Sequence, residues 1–136
     1  MDALYLIATI AGQPVAIESD RVDSVVDLAA ITPVPLAAAH IAGLAALRSK
    51  VITVIDPATA LGVRPAGQKV VRGRAVVMAV DGHQFGVLVD SVEDVTTIAA
   101  EPHPVRAPLG EGWAKVALGA IEYHDETLLL IDPMRW

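Results

Sequence analysis

Apolar residues along the chain fall into short runs closed by turn residues. Met1 to Ile10 is almost unbroken, Ala11-Gly12 interrupts it, and Val15 to Ile17 follows. Short runs rich in Val, Ile and Thr between Gly, Pro and Asp read as strands. Asp81-Gly82 sits between Arg74 to Val80 and Gln84 to Val89, and Asp-Gly between apolar runs is a strong hairpin signal because Gly accepts positive φ cheaply. Ser49-Lys50 is expected to turn Gly43 to Leu47 onto Val51 to Ile55, and His124-Asp125-Glu126 to turn Lys115 to Ile121 onto Thr127 to Ile131. With Arg21 to Asp27 and Val92 to Ile98 the count reaches about ten strands.

The pattern also repeats. At an offset of 70, Tyr5 to Ile10 lies over Ala75 to Val80, Gly12 over Gly82, Val15 over Phe85 and Ile17 over Val87. Asp20, Val22 and Val25 lie over Asp90, Val92 and Val95, sharing Asp-x-Val-x-x-Val, and Ile55-Asp56-Pro57 recurs as Ile131-Asp132-Pro133 at an offset of 76. Preserved order and spacing predict two equivalent halves, roughly residues 4–61 and 74–133, with five strands each.

Helix is scarce. Asp56-Pro57 and Asp132-Pro133 each place a capping carboxylate before a proline suited to the first helical position, so a turn or two is expected at Ala58 to Leu61. Leu36 to His40 is a further candidate turn. Gly62 to Gly73, with Arg64, Lys69 and Arg72, reads as an exposed connector, and Ala99 to Gly112, with three prolines, as the longest loop.

Composition narrows the function. At 136 residues the chain suits one compact domain, and 54% hydrophobic with 4% aromatic residues means a core filled by Val, Ile, Leu and Ala. A net charge of −6 gives no basic face for nucleic acid. Cysteine is absent, which removes disulfides and thiolate chemistry. The apolar start carries Asp2 and no Lys or Arg, unlike a secretory signal. Val34 to Leu47 contains His40 and falls short of the ~20 residues that span a bilayer. A cytoplasmic protein with no membrane insertion is the expectation.

Catalytic motifs are missing: there is no Gly-x-Gly-x-x-Gly, no phosphate loop, no Gly-x-Ser-x-Gly and no His-Glu-x-x-His. His40, His83, His103 and His124 lack ligand spacing, so neither a metal nor a cofactor is expected. His124-Asp125-Glu126 is the densest acid/base group, but consecutive polar residues at a hairpin tip are first of all turn chemistry. Asp20, Asp56, Asp90 and Asp132 end strands at equivalent places, where carboxylates accept backbone N–H bonds. Arg48 has no counterpart in the second half and reads equally as a surface charge or as a fixed guanidinium for a carboxylate.

Taken together, the chain resembles the CheW-like family of chemotaxis coupling proteins from about Leu4 to Asp132. Gly12 with Ile17, Val22, Ile41-Ala42-Gly43, Leu47-Arg48 and Val51 to Asp56 carry the resemblance in the first half; Gly86 to Val92, Asp94-Val95 and Leu128 to Asp132 carry it in the second. The resemblance implies a single all-β domain of two intertwined five-stranded, SH3-like β-barrels with short helical turns. It implies no catalysis and no cofactor. Its implied partners are the cytoplasmic tip of a chemoreceptor and the regulatory domain of a histidine kinase, and the implied docking residues are Val22, Gly43, Arg48, Gly86, Val92 and Val95. Ser24, Ala46, Ser49 and Pro57 depart from the family pattern, and Ala37 to Ala39 replaces bulkier residues. A regulatory barrel serving another receptor or kinase pathway is the alternative, with the 99–112 loop as its recognition element, and a small-molecule enzyme is the remaining one.

Overall fold

The computed structural model describes residues 3–65 and 67–136; Met1 and Asp2 of the expected first strand, and Ala66 of the expected connector, lie outside the described residues. Among the described residues ten strands form: β1 (Ala3–Ile10), β2 (Gln13–Glu18), β3 (Ser24–Leu28), β4 (Ile41–Leu47), β5 (Lys50–Ile55), β6 (Gly73–Val80), β7 (His83–Val89), β8 (Ser91–Ile98), β9 (Ala117–Tyr123) and β10 (Glu126–Ile131). A 3-10 turn covers Ser19–Arg21, and two short helices, α1 (Pro57–Ala60) and α2 (Glu111–Val116), complete the described elements.

The strands make two five-stranded sheets, ordered β8-β1-β2-β10-β9 and β3-β6-β7-β5-β4. Each sheet takes its central hairpin from the other end of the chain: β1-β2 joins β8, β9 and β10, while β6-β7 joins β3, β4 and β5. This is the intertwined all-β architecture expected. Register follows the sequence offsets. Ala3 faces Ile98 where Gly73 faces Leu28, both partners shifted by 70, and parallel Leu129–Val15 matches parallel Thr53–Phe85 at shifts of 76 and 70.

Turn chemistry sets the hairpins. Ala11-Gly12 (φ 50°, 80°), Asp81-Gly82 (51°, 79°) and His124-Asp125 (48°, 62°) each place two residues at positive φ, the backbone twist that suits antiparallel strands. The β4–β5 turn falls at Arg48-Ser49, one residue earlier than expected, with Arg48 at φ 52°. That register sets Ala45 opposite Ile52, both buried. The strand expected at Arg21 to Asp27 begins only at Ser24, because Ser19–Arg21 forms the 3-10 turn, and α2 replaces the end of the expected loop and the start of the expected Lys115 strand. Trp113 and Val116, one helical turn apart, pack together on the core, and six residues behind a proline-rich stretch leave too little periodicity to read.

Burial explains the unbroken apolar runs. Leu6, Ile17 and Ile131 from one sheet meet Val76, Met78 and Val87 from the other in a shared cluster between the sheets. Tyr5, Ile7, Ile121 and Leu128 fill the concave side of the first sheet, and Leu28, Ile52, Val54 and Val77 that of the second. Strands β1 and β6 are therefore buried on both faces, which gives continuous rather than alternating hydrophobicity. Each fully buried Ile or Val contributes roughly 1.5–3 kcal/mol.

Each sheet curls until its two outer edges nearly meet. In the second sheet, Thr32 beyond β3 bridges Leu44 of β4 through two backbone bonds, at 2.8 and 2.9 Å. The first sheet repeats this at His103 and Ala120, at 2.9 and 2.8 Å. Glycine makes the approach possible: a Cβ on Gly43, at φ 149°, would stand 2.1 Å from the Thr32 carbonyl oxygen, and one on Gly119 would stand 3.0 Å from that of His103. The crossovers between sheets are pinned as well. The Asp90 N–H donates to the Thr9 carbonyl at 2.8 Å, the Gly12 N–H to Asp90 Oδ2 at 2.9 Å, and Arg21 pairs with Asp132 at 2.8 Å.

Candidate functional site

The ionisable residues serve the backbone before anything else. Asp56 is buried, caps α1 through the Ala58 N–H at 3.1 Å, and accepts from Thr59 Oγ1 at 2.8 Å and Arg64 Nε at 2.7 Å. Arg64, read from sequence as part of an exposed connector, is thus the counter-ion of the buried carboxylate. Asp132 accepts from the Met134 N–H at 3.1 Å besides its pair with Arg21. His124 and Asp125 form the hairpin tip and Glu126 begins β10, so that triplet is a turn. His83 stacks edge-on against Phe85 at 4.7 Å and shares a hydrogen bond with Thr53 Oγ1 at 3.1 Å. Among the described residues, no cluster of three His, Cys, Asp or Glu is placed to hold a metal ion.

Electrostatic shifts are clear at two places. A bidentate hydrogen bond from Arg74, at 2.8 and 3.3 Å, and that residue's positive charge hold the Asp27 carboxyl below its ordinary range and raise the arginine in turn. Burial, helped by the nearby Glu18 and Glu101 carboxylates, pushes the Tyr5 phenol up.

The six residues implicated by sequence fall into four settings. Gly43 and Gly86 are buried in one row across the second sheet, Ser24–Val77–Gly86–Val54–Gly43. A Cβ on Gly86 would lie 3.1 Å from Ile52 Cδ1 and 3.4 Å from the Ala75 methyl, so this glycine makes room for core side chains. Val22 and Val92, 70 residues apart, are half-buried against the cluster between the sheets. Val95 is 50% exposed on the outer strand β8. Its counterpart Val25, 39% exposed on the outer strand β3, completes a second pair that the offset-70 alignment already contained but that was not singled out as a docking residue.

Arg48 stands apart from the glycines. It is exposed at the β4–β5 turn and lines a hollow of about 380 Å³ with Asp23, Ser24, Lys50 and Gln84, which brings it beside the segment carrying Val22. Arg48 and Lys50 take part in no ion pair among the described residues. Charge is divided unevenly. Residues 22–90 carry six Lys and Arg against five Asp and Glu, whereas the remainder of the chain carries four against eleven. Exposed apolar residues at strand edges thus lie on the same molecule as the exposed, unpaired Arg48 and Lys50. Among the described residues no helix is long and apolar enough to cross a membrane.

Comparison with known proteins agrees with this geometry. The chain is 35% identical over 68 residues to the chemotaxis protein CheW of Rhizobium meliloti (strain 1021), a match spanning 50% of this chain and 43% of that protein. The crystal structure of the scaffolding protein TtCheW from Thermoanaerobacter tengcongensis superposes with a TM-score of 0.77 at 26% identity, covering 97% of this chain and 85% of the other. The CheW-like domain matches residues 4–135, and the chain therefore belongs to the CheW-like family.

Proposed function

We propose that this protein is a non-enzymatic scaffold of a chemotaxis signalling array, coupling the cytoplasmic tips of methyl-accepting receptors to a histidine kinase through the kinase's regulatory domain. The observation that carries the reading is the CheW-like match over residues 4–135, joined to a fold shared across 97% of the chain with a scaffolding protein. In this reading the whole chain acts as one domain whose halves, about 4–61 and 74–133, offer related surfaces to two different partners. The receptor tip lies against Val22, Val92 and Val95, with Arg48 orienting a receptor carboxylate; Gly43 and Gly86 support that face by letting the second sheet close and pack. The protein works in the cytoplasm, where both partners' docking domains reside.

The test uses receptor cytoplasmic fragments and the kinase encoded in the same genome. Both should co-sediment with the chain, and Arg48→Ala should weaken receptor binding while changing stability by about 1 kcal/mol or less, since an exposed arginine contributes little to the fold. Binding to neither partner overturns the proposal.

A further inference from the structure

The two sheets close alike, but their seams are finished differently. On the first sheet, Glu122 accepts from Thr127 Oγ1 at 2.9 Å and lies 3.4 Å from His103 Nε2, so polar side chains stitch the seam. At an offset of 76 the cross-strand pair Glu122–Thr127 becomes Ala46–Val51 and the bridged Ala120 becomes Leu44, so that Thr32 stands where His103 does. The second seam thus bears an apolar pair, with Val51 61% exposed and Leu44 beside it 39% exposed. Beneath lies an open slot of about 580 Å³ with Leu28 and Ala45 as its floor and Ala29, Ala30 and Ala46 along its walls. Past Leu47 it continues into the Arg48–Lys50 hollow.

Backbone chemistry points the same way. β3 and β4 are the outer strands of their sheet, and between them the Thr32–Leu44 bridge is the one pairing among the described residues. That bridge takes the outward amide and carbonyl of Leu44; past it, toward Ala46, the outer side of β4 has no sheet partner among the described residues. Natural sheets blunt such edges with charge or bulges, and β8 does so with a register shift at Glu93 and with Asp94 beside it. β3 pairs without any shift, and β4, whose one shift lies at Ala42, faces the slot with the uncharged Leu44, Ala45, Ala46 and Leu47.

We propose that this seam is a binding site for an extended, acidic segment of a partner protein, which adds as a strand beside β4, lays an apolar side chain over Ala46 and Val51, and sets a carboxylate against Arg48 and Lys50. A helix satisfies its own backbone internally and leaves the edge groups of the slot unpaired. A basic segment meets Arg48 and Lys50, which outnumber Asp23 in that hollow, while Asp27 at the slot is already paired with Arg74. The part of the chain carrying the slot is close to neutral, while the remainder carries the protein's negative charge, so an acidic segment is steered to this end. The site stands apart from the surface between the sheets assigned to the receptor tip, except that Arg48 borders both, and it does not depend on that assignment.

The probe is a dodecamer peptide selected from an unbiased display library against the intact chain and then synthesised. Selected sequences should alternate apolar and small residues with Asp or Glu near one end, and the bound peptide should slow amide exchange in β3 and β4 around Ala46. Ala46→Glu, which copies the first sheet, should weaken binding at least tenfold, as should replacing the peptide's acid by Lys. N-methylation of alternate peptide amides should do the same, and this arm leaves the protein untouched should Ala46→Glu fail to fold. A selection that yields no peptide, or only helical or basic ones, overturns the proposal; so does exchange protection elsewhere, or full affinity after N-methylation on both alternations.

Discussion

Closure of the second sheet rests on a missing side chain, and Gly43→Ala isolates it. The new Cβ would sit 2.1 Å from the Thr32 carbonyl oxygen, about 1 Å inside the nearest tolerable contact, and Cβ position cannot be relieved by any rotamer. Moving Thr32 away breaks the two bonds of the Thr32–Leu44 bridge, each worth about 1 kcal/mol net. Holding alanine at φ 149° adds about 1–3 kcal/mol of backbone strain. The sum is a loss of roughly 3–5 kcal/mol, a large fraction of the ~5–15 kcal/mol that stabilises a domain. Urea unfolding monitored by Trp113 and Trp136, which stack edge-on at 5.4 Å, reads it directly. Gly110→Ala is the internal control: a Cβ there meets nothing within 4 Å, and at the N-cap of α2 the expected loss is about 1 kcal/mol or less. Equal midpoints for the two variants would refute the idea that Gly43 is required for seam closure.

Other outcomes follow from the same structure. Asp56→Ala removes a buried carboxylate with three side-chain hydrogen bonds and should cost about 2–4 kcal/mol, whereas Asp132→Ala, in a more exposed pair, should cost nearer 1 kcal/mol; equal urea midpoints for the two would contradict the difference in burial. Because the Tyr5 phenol titrates above its ordinary value near 10, its contribution is complete below that pH and is lost as pH rises through the folded value. Tyr5→Phe should therefore flatten the alkaline fall in stability, and parallel pH profiles for wild type and variant would contradict the burial account.

The repeat was legible because it is written in positions rather than residues. Offsets of 70 and 76 align Val15 with Phe85 and Ile55 with Ile131, and these same offsets relate the parallel pairings of the two sheets. The exchange of hairpins between sheets was not visible in any single motif, since pairing partners such as Ala3 and Ile98 lie far apart in sequence. It entered through the family resemblance. Arg64 was misread because a lone arginine among Gly and Pro carries no local sign of a buried carboxylate eight residues earlier. α2 was missed for want of length. The slot beside β4 could not be read at all: Ala46 means little until pairing sets it where Glu122 stands on the other sheet.

The most direct test of the coupling role is sedimentation of three components together. Receptor fragments assembled on vesicles are pelleted with the kinase, with and without this protein. The account predicts that kinase enters the receptor pellet in proportion to added protein, that the protein enters with it, and that Arg48→Ala lowers both. Kinase that pellets equally well without the protein, or protein that stays in the supernatant, would contradict it.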